Sequence, residues 1–383
     1  MTCHDPRPHP CAGAARTSLG GPEMSERTKI LAAAAVAASA IALAACGGGS
    51  GTESGSVRFG VGDPQLQVGT APYTSVPQEM GYFEDHGIDV KIQGTEGAVA
   101  SVQGLLTGNF DIVNGGSTAF YQAAASDDRI KVISLGADNV WRTVVPEDSD
   151  IQTVDDLVGK TVGSQSKSSA SYLFGRAALS SSGIDPENEV KWLEVGIGAQ
   201  AAQALQAGQI DAYATYDGPL GVVEQLYGEP LRSLASPLDD LSGTLGIATT
   251  TEFLEEHPEE VAAFLRAFNE GKVFADANPE AAIRMHWKAY PSQAPKGDEE
   301  QAVQDTLPIV ETRWAADAAP GSDDLVGYLD EQALEDSIAF FVEHGLIDQA
   351  VPVEQIDGME AAKEAAEDLD IDAIVEQAQG WTP

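Results

Sequence analysis

Two stretches one hundred positions apart in this chain repeat one another. In VQGLLTGNFDIVNGG (102–116) and AQALQAGQIDAYATY (202–216), Gln103, Leu105, Gly108 and Asp111 return as Gln203, Leu205, Gly208 and Asp211. Each copy reads as a short amphipathic helix stopped by a glycine and followed by an Asp-led apolar strand. Carrying this unit twice constrains the chain to two lobes of similar α/β build. Each lobe then offers a loop from the end of a strand, where open α/β sheets bind ligands. A length of 383 residues, more than one hydrophobic core usually serves, agrees with two lobes. Strands are predicted near 57–61, 89–93, 110–113, 131–135, 161–163, 190–195, 210–215 and 246–249, with helices between them. After Thr250 caps, acidic first turns and apolar spacing predict a mostly helical remainder.

The N-terminus carries a different signal. From Met24, Arg27 and Lys29 precede an apolar or small-residue run over 30–45 that is short for a membrane span and has the layout of a secretory signal. It ends in Leu43-Ala44-Ala45-Cys46, which resembles the lipobox of bacterial lipoproteins, whose cysteine is lipidated and becomes the mature N-terminus. The expected organisation is an upstream extension over 1–23 that precedes the true start, a signal peptide over 24–45 and a polar tether over 46–55. Cys3 and Cys11 lie upstream of Cys46, so the mature chain would keep one cysteine and form neither a disulfide nor a cysteine metal site. A net charge of -39 argues against nucleic acid as a partner and against docking on anionic lipid through a basic patch.

GSQSKSSASYLFGRAAL (163–179) places five serines and a lysine ahead of an apolar segment. Ala170, Leu173, Phe174, Ala177 and Ala178 keep helical spacing, and 161–163 is strand-like, so the serines occupy a loop and the first turn of a helix. The unpaired N–H groups there suit either a helix cap or a cradle for an oxyanion, with Ser166, Ser168 and Ser169 as donors. Tyr172, one turn in, either covers a ligand or packs between helices. Ser117 and Thr118 present the same pair of readings after Gly115 and Gly116, where glycine lets the backbone approach closely. Ser164-Gln165-Ser166-Lys167 fits S-x-x-K, but the companion elements of a penicillin-recognising enzyme are missing. No G-x-S-x-G elbow is present, and the histidines show no zinc spacing. Neither catalytic residues nor a metal nor a cofactor is expected.

EMGYFEDHGIDVKI resembles the GYF…GLDV signature of substrate-binding proteins that serve ABC importers for nitrate, aliphatic sulfonates and taurine. The similarity continues through GLLTGNFDIVNGGST, TVDDLVGKTVGSQSKSSASYLFGRAAL, ALQAGQIDAYATYDGP and TTTEFLEEHPEEVAAFLRAF, in the family's order. The resemblance implies a type II periplasmic-binding-protein fold: two α/β lobes, 56–142 with 241–383 and 143–240, closing on a ligand. It implies a membrane permease and an ATPase as partners; with the oxyanion cradle and the lipobox, the expectation is a monomer, lipid-anchored outside the cell membrane, whose ligand is a small organic anion, a sulfonate or carboxylate. YATYDGP corresponds to the family's aromatic-Asp-Pro loop, so Tyr216 would cap the ligand and Asp217 would accept from an ammonium group or form a turn. Tyr73 and Thr74 carry over from the loop after the first strand. Trp141 and Arg142 stand at the first crossing, with Arg142 either an anion partner or a hinge arginine. The alternatives are a binder of a thiamine pyrimidine precursor or other heteroaromatic, and an enzyme on the same fold.

Overall fold

Ten strands form two five-stranded sheets built to one plan. In the computed structural model, which describes residues 55–136 and 139–382, these are β1 (Gly55–Val61), β2 (Ile88–Gly94), β3 (Ile112–Gly116), β4 (Ile130–Leu135), β5 (Trp141–Pro146), β6 (Thr161–Ser164), β7 (Lys191–Glu194), β8 (Ala212–Tyr216), β9 (Leu231–Ser233) and β10 (Leu245–Thr250). The first sheet runs β2-β1-β3-β10-β4 and the second β7-β6-β8-β5-β9. Three strands in each are parallel, and the fourth, β10 or β5, is antiparallel to both neighbours. That fourth strand arrives from the other sheet, because the chain passes from β4 to β5 and returns from β9 to β10.

The internal echo is a structural repeat. Helices Ala98–Leu106 and Ala199–Gln206 stop ahead of Gly108 and Gly208, at φ 73° and 61°, where glycine takes the left-handed turn without a Cβ penalty. Asp111 Oδ2 then accepts from Arg58 N and Asp211 Oδ2 from Thr161 N, each at 2.8 Å. The recurring aspartate therefore takes the N–H that the neighbouring strand leaves unpaired where its ladder begins. Asp211→Ala is expected to cost about 1–2 kcal/mol by leaving the Thr161 N–H without its carboxylate, measured by urea denaturation.

All eight predicted strands occur. The two additional ones, β5 and β9, are the antiparallel strands beside the crossings; β9 has three residues and β5 ends on a proline, so neither carries a periodic signal. Trp141 and Arg142, expected at the end of the first lobe, open β5 in the second sheet.

The stretch after β10 is helical, as expected. Helix Pro258–Ala277 packs on the first sheet, with Phe264 edge-on to Phe59 at 4.8 Å, an arrangement worth about 1 kcal/mol beyond the buried area. Helix Glu299–Ala318 follows the same core through Trp314, whose indole donates to Gly69 O at 3.2 Å. It also reaches the second lobe, where Gly221 lies so close under Ile309 that a Cβ would meet Ile309 Cβ at 2.8 Å. No helix among the described residues is long and apolar enough to cross a membrane. The predicted extension, signal peptide and lipidated Cys46, and the tether up to residue 54, lie outside the described residues.

Candidate functional site

The lobes meet at the strand ends. The loop after β1, the end of β3, the start of β5, the loop after β6 and the end of β8 surround a cavity lined by Asp63, Tyr73, Asn114, Gly116, Trp141, Gln165, Ser169 and Tyr216 among others. A second, smaller chamber shares Tyr73, Asn114 and Leu245 with it and continues inward to Ser134, Phe268, Lys272, Arg313 and Asp317.

The serine loop closes the rim of this cavity. Ser166 and Ser168 hydroxyls both donate to Glu96 O across the lobes at 3.2 Å, and Val99 N donates to Ser168 O at 3.3 Å. Ser169 caps helix Ala170–Ser181: its Oγ accepts from Tyr172 N at 3.4 Å and donates to Ser166 O at 2.7 Å. Of the three serines, only Ser169 lines the cavity. Gly97, at φ 125°, makes the approach possible, since a Cβ there would sit 3.1 Å from Ser168 O and Ser169 Cα.

Ser117 serves the crossing segment. Its N–H donates to Thr244 O at 3.1 Å and its hydroxyl to Gly243 O at 2.5 Å, so both donors are taken by backbone. Thr118 is fully buried, its hydroxyl without a partner among the described residues and away from the cavity. Tyr172 packs edge-on to Trp192 of strand β7 at 4.9 Å and does not line the cavity, so it neither covers a ligand there nor packs between helices through this contact. Thr74 donates to Thr70 O at 2.8 Å and also stays outside the cavity. Gly116, by contrast, lies directly against Ala170 of the other lobe, where a Cβ would overlap.

Trp141 forms the aromatic wall, stacked on Phe174 at 4.8 Å and tilted against Tyr216 at 5.3 Å, with its indole N–H on Thr244 O at 3.3 Å. Arg142 and Asp217, offered as separate ligand contacts, pair with each other: Nε to Oδ1 and Nη2 to Oδ2 are both 3.4 Å. Burial raises the Asp217 carboxyl, and Arg142 works against that.

Asp63, Asn114 and Gln165 are polar groups of the outer chamber that sequence reasoning missed, and Asp63 is the charged one. It is 3% exposed, and its oxygens accept from Gln65 N at 2.9 Å and Gln67 N at 3.4 Å. Burial raises its carboxyl above the usual range, against these amides and the Tyr216 hydroxyl. Its position just after the first predicted strand was a usable signal. Lys272, Arg313 and Asp317 were missed as well; a lysine one turn after Phe268, on a helix face that also carries Phe264, was the legible hint.

A nucleophile is poorly served here. Ser75 Oγ lies 3.1 Å from His286 Nδ1, but both residues are fully buried away from the chambers, and the far nitrogen faces the Gln293 amide, with no carboxylate to orient it.

The family profile described as NMT1/THI5 like matches residues 73–282, more than half of the chain. The "Putative aliphatic sulfonates-binding protein" of Bacillus subtilis is 25% identical over 217 residues, 55% of this chain and 64% of that protein. The riboflavin-binding protein RibY of Chloroflexus aurantiacus is 27% identical over 211 residues, 54% of this chain and 56% of that protein. The chain thus spans less than two thirds of the length of these curated relatives. Among solved structures, the alkanesulfonate-binding protein SsuA of Xanthomonas axonopodis pv. citri bound to MOPS superposes with TM-score 0.60 at 18% identity, over 79% of this chain and 98% of that one. The likeness is one of fold, and the fold is the two-lobed periplasmic-binding-protein fold.

Proposed function

The chain belongs to the NMT1/THI5-like family, and from that premise we propose that it is an extracytoplasmic solute-binding protein that delivers a small organic anion to an ABC permease and its ATPase. The observation that carries the reading is the single cavity lined by strand-end residues of both sheets, among them Gly116 of β3, Trp141 of β5 and Tyr216 of β8. A molecule held there touches both lobes at once, so its binding free energy stabilises the closed arrangement that a transporter recognises. The sulfonate reading draws on the name of the Bacillus relative. Anchoring through a lipidated Cys46 completes the proposal, with the polar tether giving reach from the membrane.

A heteroaromatic solute is the second reading, favoured by the Trp141 and Tyr216 rings beside the Asp63 carboxyl, which suits a ring N–H. Calorimetry against taurine, alkanesulfonates, nitrate, aromatic acids, riboflavin and an aminopyrimidine separates the two. At least one sulfonate or carboxylate is expected to bind in the micromolar range, about -8 kcal/mol. Binding of a neutral heteroaromatic with none of the anions would replace the first reading by the second.

A further inference from the structure

The inner chamber holds an uneven set of buried charges. Lys272 on helix Pro258–Ala277, and Arg313 and Asp317 one turn apart on Glu299–Ala318, all line it and are 5%, 3% and 8% exposed. Arg313 Nη2 pairs with Asp317 Oδ1 at 2.6 Å, while Arg313 Nη1 and Asp317 Oδ2 have no partner among the described residues. Lys272 Nζ sits 4.5 Å from the centre of the Phe268 ring, with no salt bridge to a described carboxylate. Two cations therefore face one carboxylate. The nearby Asp217 is matched by Arg142, and burial holds the Tyr73 hydroxyl in its neutral form. A net positive charge in so dry a place is costly until a counter-ion meets it.

We propose that the inner chamber is the anion subsite of the solute, taking a carboxylate or sulfonate group between Lys272 Nζ and Arg313 Nη1, with Asp317 restricting it to monoanions. The proposal rests on the reading of the cleft as a solute pocket and adds where the charged end goes. Tyr73 and Asn114 line both chambers, so a molecule seated under Trp141 and Tyr216 reaches the cations without leaving protein. One monoanion cancels the excess of one positive charge; a phosphate ester carrying two would leave a negative charge buried in its place. Arg313 and Asp317 come from a helix beyond residue 282, where the family match ends, so this part of the pocket is supplied by a segment the family profile does not reach. Burial pulls the Lys272 ammonium down to about 8, against the pull of Asp317, which leaves it mostly charged at neutral pH.

The test is calorimetry of the folded, full mature chain near neutral pH and at constant ionic strength, with methanesulfonate, propionate and methyl phosphate as probes. Wild type is expected to bind the two monoanions and reject the phosphate ester. Lys272→Met should weaken monoanion binding about tenfold or more, Lys272→Arg should restore most of it, and Asp317→Asn should admit methyl phosphate. Because Asp317→Asn leaves two cations facing each other and could fail to fold, Lys272→Met, which removes one, is decisive. Wild-type monoanion affinity in Lys272→Met overturns the subsite while leaving the cleft reading in place. Wild type that binds neither monoanion overturns the subsite and the anion reading together.

Discussion

Gly116→Val is expected to weaken solute binding by about a hundredfold or more while leaving the protein folded. Gly116 ends β3 at φ -64° and ψ 129°, a conformation any residue adopts, so the substitution does not strain the backbone. Its hydrogen is what faces the other lobe. A Cβ would overlap the Ala170 methyl and come within 3.1 Å of Trp141 Cζ2. Relief requires the lobes to part, because Ala170 begins a helix whose cap is already fixed by Ser169. Overpacking of this kind costs about 1–3 kcal/mol, and it falls on the closed state alone, so the open state bears none of it. Adding the lost reach of Ser169 and Trp141 brings the penalty to about 3 kcal/mol, or a hundredfold in affinity. Calorimetry with whichever solute the panel identifies measures the loss. Affinity within a few-fold of wild type, with an unchanged melting temperature, would sink the closed-cleft account.

Stability is expected to fall by about 3 kcal/mol between pH 6.5 and pH 4 from one residue, His286. Burial drives its imidazole pKa from 6.5 down to about 4, with Gln293 pulling the other way. Each pKa unit is about 1.4 kcal/mol. Because the folded value is depressed, the unfolded chain takes the proton first as pH drops. The contribution is therefore complete above pH 6.5 and is lost progressively toward pH 4. The hydrogen-bond network explains why the ring stays neutral. Gln293 Nε2 donates to Gln65 O and Leu66 O at 2.9 and 3.1 Å, which leaves Gln293 Oε1 to accept from His286 Nε2 and leaves Nδ1 to accept from the Ser75 hydroxyl. A second proton on the ring would have to break the Ser75 bond. Urea titrations at pH 7 and pH 4.5 read the effect as a difference: the His286→Gln variant should lose markedly less stability than wild type over that interval. Parallel losses in both proteins would remove His286 from the explanation. The same network holds the loop that carries Asp63, so acid should loosen the cavity before it unfolds the lobe.

The framework was legible because it is written in local pattern. The hundred-residue echo, the glycine stops and the eight predicted strands all follow from spacing and turn chemistry within about fifteen residues. The helix after the serine loop was readable for the same reason, down to Ser169 at its cap. What each hydroxyl bonds was not readable. Ser166 and Ser168 reach Glu96 O, and Ser117 reaches Gly243 O, partners 70, 72 and 126 positions away. In the sequence Arg142 reads as an anion partner or a hinge arginine and Asp217 as an ammonium acceptor or a turn residue, and only the pairing of β5 with β8 shows that they meet each other. Lys272 and Arg313 look like ordinary helix charges until two helices that the sequence does not register against each other bring them to one chamber. Burial of a charge is a tertiary property, and sequence alone shows only that a charge interrupts an apolar face.

Several of the contacts that join the lobes act only at short range. Two hydroxyls meet a main-chain carbonyl at Glu96, Gly69 lies within reach of Gly218, and Gly221 sits under Ile309. None of these is a long-range attraction between full charges. Hydrogen bonds weaken steeply with misalignment, and dispersion loses a quarter to a half of its strength over about an ångström. The energy of these approaches is therefore a narrow well with steep sides, so a small rotation extinguishes them together. On the proposed function, a permease meeting this surface would distinguish two shapes with little between them, and the solute's presence would be read as a binary signal.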